Sequence, residues 1–173
     1  MPKIVENLRE KIVEVTKKQI LENGYSKVTM RSIAQACKIG LGTIYNYYES
    51  KDYIVATYMM DDWKLCLSNV QNEIINDKSI IESVYYGLYN FINEHEELFA
   101  DKKAEISYAS NVVKWHTLFR GQIAGIVFPI CNGDGFLSEF IAEALISWAI
   151  EKKEFTLLEP ILNKLIKKEK EIY

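Results

Sequence analysis

Apolar residues recur along this chain every three or four positions and almost never every second one, the mark of helices with one buried face. Leu8, Ile12, Val15-Thr16 and Ile20 fall on one side of a segment predicted to be helical from Lys3 to Asn23, while Glu10, Glu14, Lys17 and Lys18 lie elsewhere on it. Gly24 suits the residue that ends such a helix, and Tyr25 the hydrophobic plug that folds back after it. Two short helices follow. Thr29 is placed to cap the first, which turns Ile33 and Ala34 inward. Lys38-Ile39-Gly40 makes the turn, and the second helix, about Leu41 to Tyr48, sets Ile44 and Tyr48 four residues apart on one face.

Ser50 is a good cap for a fourth helix, with Asp52 near its positive end. The pattern continues through Tyr53, Ile54, Met59, Met60, Trp63, Leu67, Val70 and Ile74 without a Gly or Pro. At 1.5 Å per residue that is roughly 35 Å of helix, long enough to connect the N-terminal unit mechanically to the rest. Asn76-Asp77-Lys78 is predicted to break it. Ile80 to Glu94 carries Val84, Leu88, Phe91 and Ile92, and a further helix runs from Asp101 to about Phe119, with room to extend to Val127. Pro129 and Asn132-Gly133-Asp134-Gly135 mark a stop. The last pair is predicted over Phe136 to Lys152 and from Thr156 or Pro160 to Ile172. No alternating strand pattern, repeat or low-complexity stretch interrupts this. The fold class is all-α, with an N-terminal three-helix unit over residues 1–50 and a C-terminal helical domain over 51–173.

Two short helices around a tight turn, steadied by a preceding helix, make a helix-turn-helix. With Ile44 and Tyr48 inside, Gly42, Thr43, Tyr45, Asn46 and Tyr47 are left on the outer face. That face has little charge and several hydrogen-bonding groups, which suits the floor of a DNA major groove. The segment resembles the TetR-type bacterial transcriptional regulators. The likeness starts at Ile12 and Thr16, continues through Gly24-Tyr25, and takes in Thr29-Met30-Arg31-Ser32-Ile33-Ala34, Gly42-Thr43-Ile44-Tyr45 and Tyr47-Tyr48-Glu49-Ser50-Lys51-Asp52. It covers about the first third of the chain. Two positions depart from the family pattern: Lys38 stands where Gly is usual, at a cost of ~1 kcal/mol for a left-handed turn residue, and Gly40 stands where Ser is usual.

The residues on the DNA side divide by role. Gly42 and Thr43 are small enough for the backbone to approach DNA, although Gly42 would equally serve packing inside the motif. Tyr45 is expected at a phosphate or base, and Asn46, at the variable position, can read adenine bidentately. Tyr47 can give its hydroxyl to a phosphate, and Lys51, after a cap at a helix N-terminus, is placed for another. Thr29 and Arg31 are further backbone candidates. Tyr48 belongs to the core.

Net charge over the 173 residues is −3, which looks wrong for a DNA binder until the chain is divided. Residues 1–57 hold nine Lys/Arg against six Asp/Glu, and the remainder twelve against eighteen, so the positive end is the end with the motif. Phe136, Phe140, Ile141, Ala144, Leu145 and Trp148 on the penultimate helix, and Leu158, Ile161, Leu162, Leu165 and Ile166 on the last, are more apolar than so small a body needs. A homodimer through Phe140, Ala144, Leu145, Trp148, Leu158, Ile161, Leu162 and Leu165 is expected, as the resemblance also implies, binding a near-palindromic operator on double-stranded DNA. The middle of the chain is rich in aromatics. Trp63, Tyr86, Tyr89, Tyr108, Trp115, His116 and Phe119 are the candidates for a pocket taking a small-molecule effector. The resemblance implies a repressor that such an effector releases from its operator.

Other classes fit less well. Two isolated histidines and no Gly-rich phosphate loop leave an enzyme without machinery, and a helical adaptor would leave Gly42 to Lys51 unexplained. Cys37, Cys66 and Cys131 are odd in number and far apart, the pattern of reduced thiols rather than of a metal site. No cofactor is expected. Met1-Pro2-Lys3 leads straight into an amphipathic segment, and no apolar run reaches membrane-spanning length, so the expected location is the cytoplasm.

Overall fold

The computed structural model describes residues 7–75, 79–99 and 102–170, and their side chains except at 99, 102–114 and 168–170. Among the described residues the chain forms helices and no strands. In order these are α1 (Leu8–Asn23), α2 (Met30–Cys37), α3 (Leu41–Tyr45), α4 (Lys51–Ile75), α5 (Ile80–Glu94), α6 (Glu96–Phe99), α7 (Lys102–Val127), α8 (Gly135–Ile150) and α9 (Phe155–Lys170), with 3-10 turns at Tyr25–Lys27 and Phe128–Cys131. They gather into two compact units, Met1–Trp63 with His95–Ala109, and Lys64–Glu94 with Ser110–Tyr173.

In the first unit the predicted stripe of α1 is the stripe that is buried: Leu8, Ile12, Thr16 and Ile20. Thr16 is tolerated there because its hydroxyl donates to the Ile12 carbonyl at 2.7 Å. The helix begins at Leu8 because Asn7, at φ 63°, is left-handed and cannot continue a right-handed coil. Gly24, at φ 79°, ends it, its N–H reaching the Ile20 carbonyl at 2.8 Å, and Tyr25 turns back into the core. Ile33, Ala34, Cys37, Ile44, Tyr48, Ile54, Val55 and Tyr58 complete that core, joined by Leu98 from α6. Each large side chain so buried contributes about 1.5–3 kcal/mol. The short α6 and the junction at His95 were not among the predicted elements. The expected breaker, 76–78, lies outside the described residues.

The second unit is built on α5 against α8 and α9. Ile81, Val84, Tyr85, Leu88 and Phe91 meet a core completed by Ile123, Val127, Ile141, Ala142, Leu145, Ala149, Leu158 and Leu162. Asp134 caps α8 by accepting the Leu137 N–H at 3.0 Å. The turn into α9 is tied by the Tyr85 hydroxyl, donating to the Lys153 carbonyl, and by Trp148 Nε1, donating to the Glu154 carbonyl at 3.0 Å. Pro160, expected near a helix start, sits inside α9. Three expected interface residues need correction. Leu145, Leu158 and Leu162 are 0, 5 and 1% exposed in the single chain, so they fill this unit's own core and present nothing to a partner.

Candidate nucleic-acid interface

The turn between α2 and α3 is short because one residue reverses the chain. Lys38 adopts φ 59°, its N–H bonds the Gln35 carbonyl, and the Ile39 N–H reaches the Ala34 carbonyl, both at 3.0 Å. Thr29 caps α2 as expected, in a reciprocal box with Ser32: the Ser32 N–H donates to Thr29 Oγ1 at 3.1 Å and the Thr29 N–H to Ser32 Oγ at 3.0 Å. Gln19 of α1 braces the same corner, its amide donating to the Ser32 carbonyl at 3.1 Å. Backbone bonds thus make the turn between the two motif helices, and the Gln19–Ser32 contact ties α1 to α2.

The second helix is shorter than its apolar spacing suggested. α3 stops at Tyr45, and the N–H groups of Tyr47 and Tyr48 both turn back to the Ile44 carbonyl at 3.0 Å. The division of faces nevertheless holds. Ile44 and Tyr48 are 0 and 2% exposed, whereas Tyr45 is 51% exposed and Gly42 and Asn46 also face outward. Thr43 is half-buried, and Tyr47 packs in part against the core. A Cβ at Gly42 would meet nothing within 4 Å, so internal packing does not explain this glycine. Thr29 and Arg31 are exposed at the head of α2. Beside them an open groove of about 530 Å³, lined in part by Gln19, Asn23, Lys27, Ser32 and Gln35, holds amides, a hydroxyl and an ammonium but no carboxylate.

Lys51 is placed differently from expectation. Its ammonium donates to the carbonyls of Tyr25 and Val28 at 2.7 and 3.0 Å and lies 3.6 Å from the centre of the Tyr25 ring. Asp52 accepts the Tyr25 hydroxyl, and Ser50 Oγ accepts the Tyr53 N–H at 3.1 Å. The Ser-Lys-Asp run therefore clamps the turn after α1 onto the head of α4. Nothing in the spacing distinguishes a lysine reaching outward from one folded onto carbonyls contributed from over twenty residues away.

The effector candidates fall into separate groups. Tyr86 and Tyr89 flank Tyr85, with ring centres 5.2 and 6.0 Å away, and Phe155 completes that set. Trp115 and Phe119 pair edge to face at 5.6 Å, and Phe119 meets Phe91 in the same way at 5.8 Å. His116 Nε2 lies 3.3 Å from Glu143 of α8. Trp63 is 1% exposed, on the part of α4 that belongs to the first unit, and the Tyr108 side chain lies outside the described residues. Among the interface candidates, Phe140 and Ile161 are 51 and 55% exposed, and Ala144, Trp148 and Leu165 are half-buried. Phe136, on the apolar face read from the spacing but not among the chosen interface residues, is 82% exposed, and Leu157, which the spacing missed, is 62% exposed. Among the described residues, no group of His, Cys, Asp and Glu is arranged to hold a metal ion, and no helix is long and apolar enough to cross a membrane.

Comparison with known proteins picks out the same segment of the chain. Residues 12–57 match the family described as bacterial regulatory proteins, tetR family. The chain is 39% identical over 54 residues to the HTH-type transcriptional regulator HbdR of Aromatoleum sp. (strain CIB), a match spanning 31% of this chain and 24% of that protein. The chain thus matches about a quarter of that relative's length. The fold likeness runs through nearly the whole chain. The TetR family repressor AlkX of Dietzia sp. superposes with a TM-score of 0.58 at 13% identity, covering 90% of this chain and 97% of that one. A putative TetR-family transcriptional regulator of Syntrophomonas wolfei does so with a TM-score of 0.57 at 18% identity, covering 95 and 93%. Motif and match coincide over residues 12–57, which are similar to the bacterial regulatory proteins of the tetR family, and the fold likeness to solved TetR-family structures extends over most of the chain.

Proposed function

We propose that this protein is a sequence-specific transcriptional regulator, a repressor that a small-molecule effector releases from its operator. The observation that carries the DNA reading is the outer face of α3. It offers an open glycine, an exposed tyrosine and an exposed asparagine, over a back made of Ile44 and Tyr48. Asn46 is the base-reading residue, with Gly42 and Thr43 admitting the backbone, Tyr45 contacting a phosphate or a base, and Tyr47, Thr29 and Arg31 contacting the DNA backbone. The positive balance of residues 1–57 and the carboxylate-free groove beside α2 support the same side. Lys51 acts as a brace behind this surface.

The protein works as a homodimer on a near-palindrome, in the cytoplasm. Support for the dimer comes from large apolar side chains left exposed on α8 and α9, namely Phe136, Phe140, Leu157 and Ile161, alongside Ala144, Trp148 and Leu165. The aromatic groups of α5 and α7, with His116 beside them, support a partly apolar effector.

The decisive experiment is a gel shift at two salt concentrations on the DNA upstream of the protein's own gene. Wild-type protein is expected to shift that DNA in preference to a random fragment of equal length, with affinity falling steeply as salt rises. Gly42→Ala is the diagnostic variant, since the added methyl meets nothing inside the protein and alanine favours a helix by about 1 kcal/mol. Folding should be unharmed while DNA binding weakens tenfold or more. Asn46→Ala should relax preference at one base position only. A Gly42→Ala protein that binds as tightly as wild type removes this face from the DNA.

A further inference from the structure

Away from the recognition face, one carboxylate in the first unit gathers partners from two other parts of the chain. Asp62 of α4 accepts from Lys17 Nζ of α1 at each carboxylate oxygen, 2.8 Å at Oδ1 and 2.7 Å at Oδ2. Its Oδ2 also lies 3.0 Å from His95 Nε2. A carboxylate only accepts, so that imidazole nitrogen carries the proton. His95 is 5% exposed, and its ring stacks on Tyr58 of α4 with centres 6.1 Å apart and planes 17° from parallel. The Lys17 ammonium lies 5.0 Å from the centre of the same Tyr58 ring. Three residues further on, Leu98 enters the core that also holds Leu8 and Ile12 of α1. His95 follows directly on α5, and it is the residue at which the chain returns to the first unit.

A half-exposed lysine–aspartate pair holds little by itself. Here the pair shares an oxygen with a buried imidazole, and linked polar groups strengthen one another where water is partly excluded. We propose that Asp62 is a clasp: it makes the seating of α1 on α4 depend on His95 remaining in place, so that displacing the chain just after α5 loosens the recognition unit. Only the consequence for operator binding rests on the reading of the protein as a DNA-binding regulator. The clasp itself is testable without DNA.

Amide hydrogen exchange on the full chain is the primary test, comparing wild type with Lys17→Met, His95→Ala, Asp62→Asn and the Lys17→Met/His95→Ala pair. A clasp predicts reciprocal effects. His95→Ala should speed exchange in the last turns of α1 at least fivefold, and Lys17→Met should do the same at residues 95–98. Asp62→Asn should reproduce both, and the double variant should go little beyond the larger single effect. Should His95→Ala fail to fold, Lys17→Met, at a half-exposed position, still decides the matter at 95–98. Exchange changes confined to the neighbourhood of each substitution, or strictly additive ones, would overturn the clasp. In gel shifts the single variants should weaken operator binding about fivefold without altering base preference. Wild-type protein that binds no DNA would count against the regulator reading and leave the exchange result standing.

Discussion

A lysine between a capping serine and an aspartate, at the head of a long helix, reads as a phosphate ligand when only its neighbours in sequence are known. In the folded chain Lys51 turns inward, because the carbonyls of Tyr25 and Val28 face it and the Tyr25 ring lies beneath it. Charge-assisted bonds of this kind are worth about 1.5–3 kcal/mol when a partner is removed. Lys51→Met should therefore lower the midpoint of thermal unfolding by several degrees, with urea unfolding showing a matching loss. A variant with unchanged stability would return Lys51 to the DNA side. Asn46 and Gly42 make the opposite case: both were readable as outward-facing from buried Ile44, since residues two positions away lie on the opposite side of a helix.

Among elements, the seam between α4 and α5 depends on a glycine that periodicity does not single out. A Cβ at Gly87 would stand 2.5 Å from Cγ2 of Val70 and 3.4 Å from Sγ of Cys66, so this is where the two helices come close. Gly87→Ala should destabilise by about 1–3 kcal/mol through overpacking, partly offset by alanine's better helix propensity. Denaturant unfolding measures it, and Val70→Ala in the same chain should recover part of the loss. Equal stability of Gly87→Ala and wild type would show that the seam has slack. The caps behaved differently. Thr29, Gly24 and Ser50 were legible because a cap is a local matter of one side chain and three or four residues of backbone. The end of α3 was not, since a five-residue helix is held by its surroundings rather than by its own propensity.

For the whole molecule, the proposed dimer face can be separated from the core at two adjacent residues of α9. Ile161 is 55% exposed and Leu162 is 1% exposed. Ile161→Asp, or Phe140→Asp on α8, should give folded monomers by sedimentation, with helical circular dichroism retained and weaker operator binding. Leu162→Asp should instead lose the fold, because it buries a charge without a partner. Folded, fully dimeric Ile161→Asp and Phe140→Asp proteins would move the interface elsewhere.

The residue pattern by itself determined that the chain is all helical, where a helix-turn-helix lies, how its caps and turn are made, and which family it resembles. All of these rest on interactions within a few residues or on spacing along one helix face, and such information is linear. What only the tertiary structure decided is direction at a distance: that Lys51 faces carbonyls, that Leu145, Leu158 and Leu162 serve the protomer while Phe136 and Leu157 stay outside, and that Asp62 meets Lys17 and His95 together. An apolar residue on a helix says that something covers it. Whether that cover comes from the same chain depends on where the neighbouring helices cross, and helix crossing is settled by packing, not by period.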